Sequence, residues 1–181
     1  MLFRSDFGRT RVLVDVGGGF GHLAIALLQR YPAMRARVLD LPEVVAIAER
    51  HAAGEDPRIL DRLSFVGGDM FAEVPAADTY VLKAIVHDWD DASCLRVLDN
   101  CRAQLSDGGR ILCGDNVLPP MGDTGGSGTK LLDMLMMVSL PGKERTEAEW
   151  RALYDAAGLR VERIVPINPR SAESIIEGVP R

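Results

Sequence analysis

Apolar positions along the chain follow two patterns that alternate: short continuous runs typical of buried strands, and stripes repeating every three or four residues that are typical of helices. This alternation has no internal repeat and predicts an α/β fold whose mostly parallel sheet carries helices on both faces. Two strand-like segments end the chain with no helix between them, which predicts a C-terminal antiparallel hairpin. The seven predicted strands are residues 11–16, 35–39, 63–66, 79–86, 110–117, 160–167 and 171–179.

Helical stripes lie between the predicted strands and define which side of each helix we expect to be buried. Pro32 ends the first helix, Gly108 and Gly109 end the third, and Thr146–Glu149 has the form of a capping box that opens the last. A Leu- and Met-rich helix is predicted over residues 131–140, and the proline- and glycine-rich residues 118–128 before it are expected to be mobile and to act as a lid. The predicted buried stripes are Ala24, Leu27, Leu28 and Tyr31; Val44, Ile47 and Ala48; and Cys94, Leu98, Cys101 and Leu105.

Composition restricts the class of partner. A chain of 181 residues with 47% hydrophobic content can form one domain with a substantial core. Its 21 basic and 26 acidic residues give a net charge of −5, which together with 6% aromatic content disfavours nucleic acid and favours a small-molecule partner. No apolar run is long enough to cross a bilayer and the first residues lack a signal-peptide core, so a cytoplasmic protein without a membrane partner is expected. The three cysteines are spaced neither for zinc nor for a redox pair and are expected to be structural.

A glycine-rich loop joins the first strand to the first helix. Residues 15–21 read Asp-Val-Gly-Gly-Gly-Phe-Gly, and glycine permits a sharp turn and a close approach to a ligand. A dinucleotide fingerprint needs its third glycine where this chain has His22. The spacing therefore favours S-adenosylmethionine (SAM) over a nicotinamide cofactor, although a nicotinamide oxidoreductase stays open as an alternative.

Polar residues follow the ends of the predicted strands, where ligands bind in open parallel sheets. Asp40 lies after the second strand and is placed to accept hydrogen bonds from ribose hydroxyls, or alternatively to cap the helix after Pro42. Asp69 and Met70 follow the third strand and would contact an adenine or simply form a turn. His87 with Asp88 follows the fourth strand.

Six ordered segments, LVDVGGGFG, LDLPEV, FVGGDMF, VLKAIVHDWDD, ILCGDNVLP and GKERTEAEW, together resemble the SAM-dependent O-methyltransferases of the plant caffeic-acid and bacterial polyketide-tailoring type. The resemblance implies that residues 1–181 form a Rossmann-like SAM-binding catalytic domain. It also implies homodimerisation through an N-terminal helical domain. Because the chain begins just before the first strand, we expect that domain to be absent and the chain to be a fragment with a partly exposed face around Met134, Met136 and Met137.

The resemblance also assigns roles. His87 would be the general base and Glu144 would support it; Asp115 stands where the family usually has a glutamate, and its shorter side chain is expected to fall out of reach of His87. Lys83 interrupts an apolar strand, where a buried cation needs a partner such as the SAM carboxylate. The residues expected to bind SAM are Asp15, Gly17, Gly19, Gly21, Asp40, Leu41, Asp69, Met70 and Lys83.

The reaction expected from this resemblance is methyl transfer from SAM to a hydroxyl, expected to be phenolic, of a small-molecule natural product. Two further alternatives stay open besides the oxidoreductase: a SAM-binding fragment without turnover, and a magnesium-dependent catechol methyltransferase suggested by Asp115–Asn116. That pair supplies too few oxygen ligands for a hard cation, so no metal is expected. His22 and His51 lie on predicted helices and are expected to be structural.

Overall fold

Strands and helices alternate through most of the chain in the computed structural model, which describes residues 5–119, 141–167 and 172–181. A single-turn 3-10 helix, Val86–Asp88, lies between the fourth strand and the helix that follows it. The elements in chain order are β1 (Val12–Val16), α1 (His22–Arg30), β2 (Arg35–Asp40), α2 (Pro42–Ala52), α3 (Pro57–Leu60), β3 (Leu63–Gly67), β4 (Ala77–Lys83), α4 (Asp91–Ala103), β5 (Leu105–Leu118), β6 (Arg145–Thr146), α5 (Glu147–Ala156), β7 (Leu159–Pro166) and β8 (Glu173–Pro180).

The strands form one mixed sheet in the order β3-β2-β1-β4-β5-β8-β7, with the two-residue β6 paired to β5. The first five strands are parallel to one another, and β8 is antiparallel to both β5 and β7. The predicted seven-stranded α/β sheet with a terminal antiparallel hairpin is therefore confirmed. After β3 the chain returns to place β4 on the other side of β1, so the order reverses between β1 and β4. Ligand crevices in such sheets lie at the carboxyl ends of the strands at this reversal.

Side chains of the central strands alternate between two cores, one on each face of the sheet. Val14 and Tyr80 pack in one core, whereas Leu13 and Val81 pack in the other. Period-two alternation sends successive side chains to opposite faces, so each strand must be apolar on both sides. This is why the parallel strands read as continuous apolar runs in the sequence.

The end of β4 differs from the prediction. The strand stops at Lys83 instead of Val86, because Ala84 adopts a positive φ of 53° and donates its backbone N–H to the Gly114 carbonyl. Val86 is buried in the 3-10 turn, so its apolar character does not report a strand. The expectation that Lys83 is a buried cation is wrong: 46% of its side chain is exposed, and its Nζ lies 3.6 Å from Glu173 Oε1.

Two helices also differ in detail. In α2 the buried residues are Val45, Ala48 and Ala52, whereas Val44 is half-buried and Ile47 is 48% exposed. The predicted stripe is therefore confirmed at Ala48 and wrong at Ile47, because an apolar residue outside the core has the spacing of a helical repeat.

Helix α4 ends at Ala103, before Gly108 and Gly109, the pair that we expected to end this helix. Leu105 therefore belongs to β5, whose continuous pairing with β4 begins at Arg110, the predicted start of that strand. Gly109 lies in β5 between these two pairings, and an added Cβ there would lie 2.7 Å from the Asp78 carbonyl oxygen.

Several sequence expectations fall outside the described residues. These are residues 120–128 of the expected lid and the whole predicted Met-rich helix over residues 131–140, with Met134, Met136 and Met137. Among the described helices, none has the length and apolar content needed to cross a membrane. All three cysteines are buried free thiols, as expected.

Candidate functional site

The glycine loop fits closely between the ends of β1, β2 and β4. Gly17 has a φ of 67°, and a Cβ there would lie 2.3 Å from Ile85 Cδ1. A Cβ on Gly18 would lie 2.7 Å from Asp15 Cγ, inside van der Waals contact. Glycine is therefore required at both positions by space, and at Gly17 also by backbone conformation.

Asp40 ties this loop to the end of β2. Its Oδ2 accepts a hydrogen bond from the Gly19 backbone N–H at 2.8 Å, and its Oδ1 accepts one from the Leu41 N–H at 2.8 Å. The residue at the N-cap of α2 is Leu41, with no side-chain cap, so Asp40 does not have the alternative capping role. Its carboxylate instead faces the glycine loop, the position in which an acceptor of ribose hydroxyls is needed.

A cavity of about 210 Å³ opens at the point where the strand order reverses. Gly17, Asp40, Leu41, Asp69 and Met70 line this cavity, as the sequence predicted for a cofactor site. Gly19, Gly21, Asp15 and Lys83 are not among its lining residues, although Asp15 lies under the loop against Gly18. The lining residues that sequence reasoning missed are Leu39, Gly68, Phe71 and Ile85.

The wall formed by Asp69 and Met70 is a turn that contacts the neighbouring helix. Asp69 Oδ1 accepts the Phe71 N–H at 2.8 Å, and the Met70 carbonyl accepts a hydrogen bond from Asn100 Nδ2 at 2.9 Å. The Phe71 ring packs edge-on against Trp89, with centroids 4.7 Å apart. This contact connects the cavity wall to the residues that follow His87.

Asp15 is a buried acid beneath the loop. It is 2% exposed, and its Oδ2 has no hydrogen-bond partner among the described residues. The pKa of Asp15 is raised to about 7, mainly by burial and also by the nearby Asp40 carboxylate, while the charge of Lys83 opposes the shift. A buried oxygen without a partner is costly, so this position favours a hydrogen-bond donor or a cation supplied by a ligand.

His87 lies in the 3-10 turn two residues after the cavity residue Ile85, and its side chain is 15% exposed. Its Nδ1 is 3.0 Å from Glu144 Oε1 and 3.8 Å from Asp115 Oδ1. Of the two acids, only Glu144 is therefore within hydrogen-bond distance. The other ring nitrogen, Nε2, lies 3.4 Å from Asp88 Oδ1.

Three carboxylates therefore surround this imidazole. The hydrogen bond that His87 donates to Glu144 is the largest influence and raises the pKa of His87; partial burial opposes this shift, and the charges of Asp115, Glu144 and Asp88 add to it. Asn116 Nδ2 also donates to Glu144 Oε1 at 3.1 Å, which holds that oxygen in place. The arrangement fixes the orientation of the ring and favours the tautomer with the proton on Nδ1.

Asp115 is as deeply buried as Glu144. Its side chain is fully buried, and neither carboxylate oxygen has a hydrogen-bond partner within the described part of the chain. Burial raises the pKa of Asp115 to about 7, an effect opposed by His87 and Arg145 and increased by Glu144 and Asp88.

Residues 142–145, here called the strap, cross directly behind the His87 turn. A Cβ on Gly142 would lie 1.9 Å from the His87 carbonyl oxygen, so only glycine fits there. Glu144 reaches the ring, and Arg145, 1% exposed, donates to the backbone carbonyls of Val86 and Trp89. Sequence reasoning identified Glu144 but missed Gly142 and Arg145, because no local pattern shows that they pack against a turn more than fifty residues earlier.

The other two histidines lie elsewhere. His22 and His51 are exposed and form an aromatic cluster with Phe20, whose ring stacks on His51 with centroids 5.4 Å apart. They have no acid partner comparable to Glu144 among the described contacts.

A larger cavity, of about 580 Å³, lies on the far side of the molecule around the start of β4 and the terminal hairpin. Its charged side chains pair with one another: Glu177 accepts from Arg163 Nε at 2.5 Å and also pairs with Arg110. Its lining includes no residue of the glycine loop, so its size alone does not make it the site of chemistry.

Comparison with known proteins agrees with this geometry. A family model for the O-methyltransferase domain matches residues 1–160. Chavicol O-methyltransferase of Ocimum basilicum is 40% identical over 172 residues, which are 94% of this chain and 45% of that protein.

Two solved structures are similar over nearly the whole chain. CalO1, a methyltransferase of calicheamicin biosynthesis in its SAH-bound form, is 40% identical with a TM-score of 0.85, covering 98% of this chain and 51% of its own. NcsB1 is an O-methyltransferase from neocarzinostatin biosynthesis, solved in complex with SAM and 2-hydroxy-5-methyl naphthoic acid. It is 35% identical with a TM-score of 0.84, and the match covers 98% of this chain and 51% of the NcsB1 chain. The chain spans about half the length of the curated relatives it matches. The family model and these relatives show that this chain belongs to the O-methyltransferase domain family.

Proposed function

We propose that this chain is the catalytic part of an enzyme that transfers a methyl group from SAM to a hydroxyl of a small molecule, with His87 as the general base. The observation that carries the proposal is the 3.0 Å contact between His87 Nδ1 and Glu144, two residues along the chain from the wall of the glycine-lined cavity. Proton removal from a bound hydroxyl requires an oriented imidazole, and His87 is held in one orientation close along the chain to the cavity residue Ile85.

The residues around the cavity fit SAM. Asp40 is placed to bind ribose hydroxyls, and Asp69 with Met70 offers a polar and an apolar contact for an adenine. Asp15 in its ionised form and Lys83 lie near the loop outside the cavity lining, and their opposite charges suit the amino and carboxylate groups of an amino-acid moiety. When bound, SAM supplies a methyl group on a sulfonium, which is already an activated leaving group. The SAH and SAM complexes of CalO1 and NcsB1 support this assignment.

The main chemical difficulty is that the acceptor hydroxyl must lose its proton, and His87 removes that proton. A phenol with a pKa of about 10 is ionised roughly one part in 10³ at neutral pH, so complete ionisation beforehand costs about 4 kcal/mol. With Nδ1 protonated toward Glu144, the Nε2 lone pair of His87 takes the acceptor proton as the oxygen attacks. General-base catalysis of this kind contributes roughly 10² to 10⁴ in rate.

Glu144 stabilises the positive charge that develops on His87 when it takes the proton. Asp115 lies too far for a hydrogen bond, so it acts on the ring through its charge alone. Asp88 lies beside His87 Nε2, and its side chain is 34% exposed. The proton that His87 takes from the acceptor can therefore pass to solvent by way of Asp88.

An aromatic hydroxyl is the acceptor class we favour. NcsB1 is solved in complex with SAM and a hydroxynaphthoic acid, and the matched plant enzymes include a chavicol and a eugenol O-methyltransferase. The proposal for this chain is thus a phenol-type acceptor, approached from the His87 side of the cavity.

The test combines binding with turnover. Calorimetry with SAM and with NADH comes first, followed by incubation with methyl-labelled SAM and a panel of phenols and hydroxylated polyketides. We expect SAM binding, transfer of label, and a loss of roughly 10²-fold or more in His87→Gln. His51→Gln is the matched control, since His51 is an exposed helical histidine outside the cavity, and it should retain activity.

Each alternative has its own outcome in this test. SAM binding without any label transfer would favour a binding module without turnover, and NADH binding without SAM binding would favour an oxidoreductase. Activity abolished by a chelator and restored by magnesium would favour a metal-dependent mechanism. Against that mechanism, the described residues contain no group of three or more His, Cys, Asp or Glu side chains arranged to hold a metal ion.

A further inference from the structure

Arg145 is a buried cation close to the proposed base. Its residue exposure is 1%, and its guanidinium makes contacts with five acceptor groups. Burying a cation is costly unless it is fully paired, so a site that retains one must satisfy its donors.

Arg145 donates hydrogen bonds to backbone carbonyls on both sides of His87 in the sequence. Nη1 donates to the Val86 carbonyl and Nη2 to the Trp89 carbonyl, each at 3.1 Å. These carbonyls lie one residue before and two residues after His87. The guanidinium therefore holds both ends of the short turn that carries the imidazole.

The same guanidinium is anchored to the start of α4 and to the strap. Nε and Nη2 donate to Asp91 Oδ1 at 3.1 and 2.7 Å, and Nη1 donates to the Lys143 carbonyl at 3.3 Å. Asp91 also pairs with Lys143 Nζ at 2.9 Å. Arg145 thus joins three segments: the turn, the first residue of α4 and the strap itself.

Position along the chain links this anchor to the chemistry. Arg145 directly follows Glu144, and β6 fixes it against β5 through the pairing of Arg145 with Val117. One residue of the strap therefore reaches the imidazole ring while the next holds the backbone behind it.

We propose that Arg145 is a positioning residue, which clamps the His87 turn onto the strap so that the imidazole and Glu144 stay within hydrogen-bond distance. This inference rests on the proposed role of His87 as general base. A lysine cannot replace the clamp, because its three donors radiate from one nitrogen, whereas the planar guanidinium reaches carbonyls on both sides of the turn.

The test uses the titration of His87, which does not depend on turnover. The chain has three histidines, so their imidazole resonances in NMR can be assigned with His87→Gln. The wild-type pKa of His87 should lie above its ordinary value, with Glu144 as the main cause and Asp115 and Asp88 adding to it. Glu144→Gln provides the titration expected when the hydrogen bond to the carboxylate is lost.

We expect Arg145→Lys to move the His87 titration toward that of Glu144→Gln. In the transfer assay kcat should fall on the order of 10- to 100-fold, the scale of a misplaced catalytic group, while KM for SAM changes less than about twofold. Arg62→Lys is the matched control, because Arg62 also binds backbone carbonyls, those of Leu28, Tyr31 and Met34, but does so far from His87. It should lose stability and leave the His87 titration unchanged.

Arg145→Lys with an unchanged His87 titration would overturn the proposal and leave Arg145 a purely structural residue. If that variant does not fold, Asp91→Asn decides, since it weakens the anchor from an exposed position and keeps the arginine. An unchanged titration in Asp91→Asn would overturn the proposal equally. Absence of methyl transfer in the wild type would instead contradict the proposed function, while the titration would still report on the clamp.

Discussion

At the scale of single residues, the fold keeps Asp15 buried with one carboxylate oxygen unpartnered among the described residues. Its pKa is raised from 3.8 to about 7, so the folded state holds the proton more tightly than the unfolded state does. The stabilising contribution of this group is therefore complete below the unfolded pKa and is lost as the pH rises through about 7. The ligand that we propose would recover part of this cost.

Asp15→Asn removes the ionisation and should raise the free energy of unfolding at pH 8 by on the order of 4 kcal/mol, since the pKa shift of about three units is worth about 1.4 kcal/mol per unit. The gain should shrink toward pH 5, where the wild-type acid is mostly protonated, and SAM affinity should fall. Urea unfolding at both pH values measures the first effect and calorimetry the second. A variant that is less stable than the wild type at pH 8 would contradict this account of Asp15.

Single residues also mark the limit of what the sequence could predict at the site. Asp40, Asp69 and Met70 were predictable because each directly follows a strand, and strand ends meet at one edge of a parallel sheet. The exposure of Lys83 was not predictable, because it depends on the positive φ of Ala84, which is rare outside glycine and has no sequence signature.

At the scale of elements, the turn that carries His87 and the strap behind it form a closely packed pair. A Cβ added to Gly142 would lie 1.9 Å from the His87 carbonyl oxygen. This oxygen belongs to the backbone, so side-chain rotation cannot relieve the overlap. Gly142→Ala should therefore push the two segments apart, lower the free energy of unfolding by about 1–3 kcal/mol and reduce methyl transfer.

Gly54→Ala is the control for this prediction, because its added Cβ would meet nothing within 4 Å and its backbone is not in the left-handed region. The free energy of unfolding and the initial rate of transfer report the two effects for each variant. Equal stability and activity in Gly142→Ala and Gly54→Ala would show that the strap does not press on the His87 turn.

The elements themselves were predictable to the extent that their signals are local. The capping box at Thr146 and Glu149 forms as expected and begins α5, because both partners lie within one turn. The strap was recognised only as a motif, and β6 was missed, because its pairing with β5 depends on contacts distant in sequence. In α2 the exposed Ile47 misled the assignment of the buried face, since an apolar residue at helical spacing reads as core whether or not a partner covers it.

At the scale of the whole molecule, a ligand that bridges β1, β2 and β4 should stabilise the fold as a unit. Binding to the folded state alone adds about 2.7 kcal/mol at a ligand concentration of 100 times Kd. We expect SAM to raise the thermal midpoint with increasing concentration, and NADH to leave it unchanged.

Gly17→Ala should abolish the effect of SAM, because its Cβ would meet Ile85 at the wall of the cavity, whereas Gly54→Ala should retain it. Differential scanning calorimetry across a series of ligand concentrations measures this. Stabilisation by NADH of the same size as that by SAM would contradict the assignment of the cavity.

The central claim is that His87 removes the acceptor proton, and its most direct test is the dependence of the His87→Gln defect on the acidity of the acceptor. With a phenol of pKa about 10, loss of the base should cost roughly 10² to 10⁴ in rate. With a nitrophenol of pKa about 7, which is already largely ionised at pH 8, the defect should shrink to about fivefold or less because no proton remains to be removed. A defect of the same size for both acceptors, or no defect for either, would contradict the role of His87 as the base.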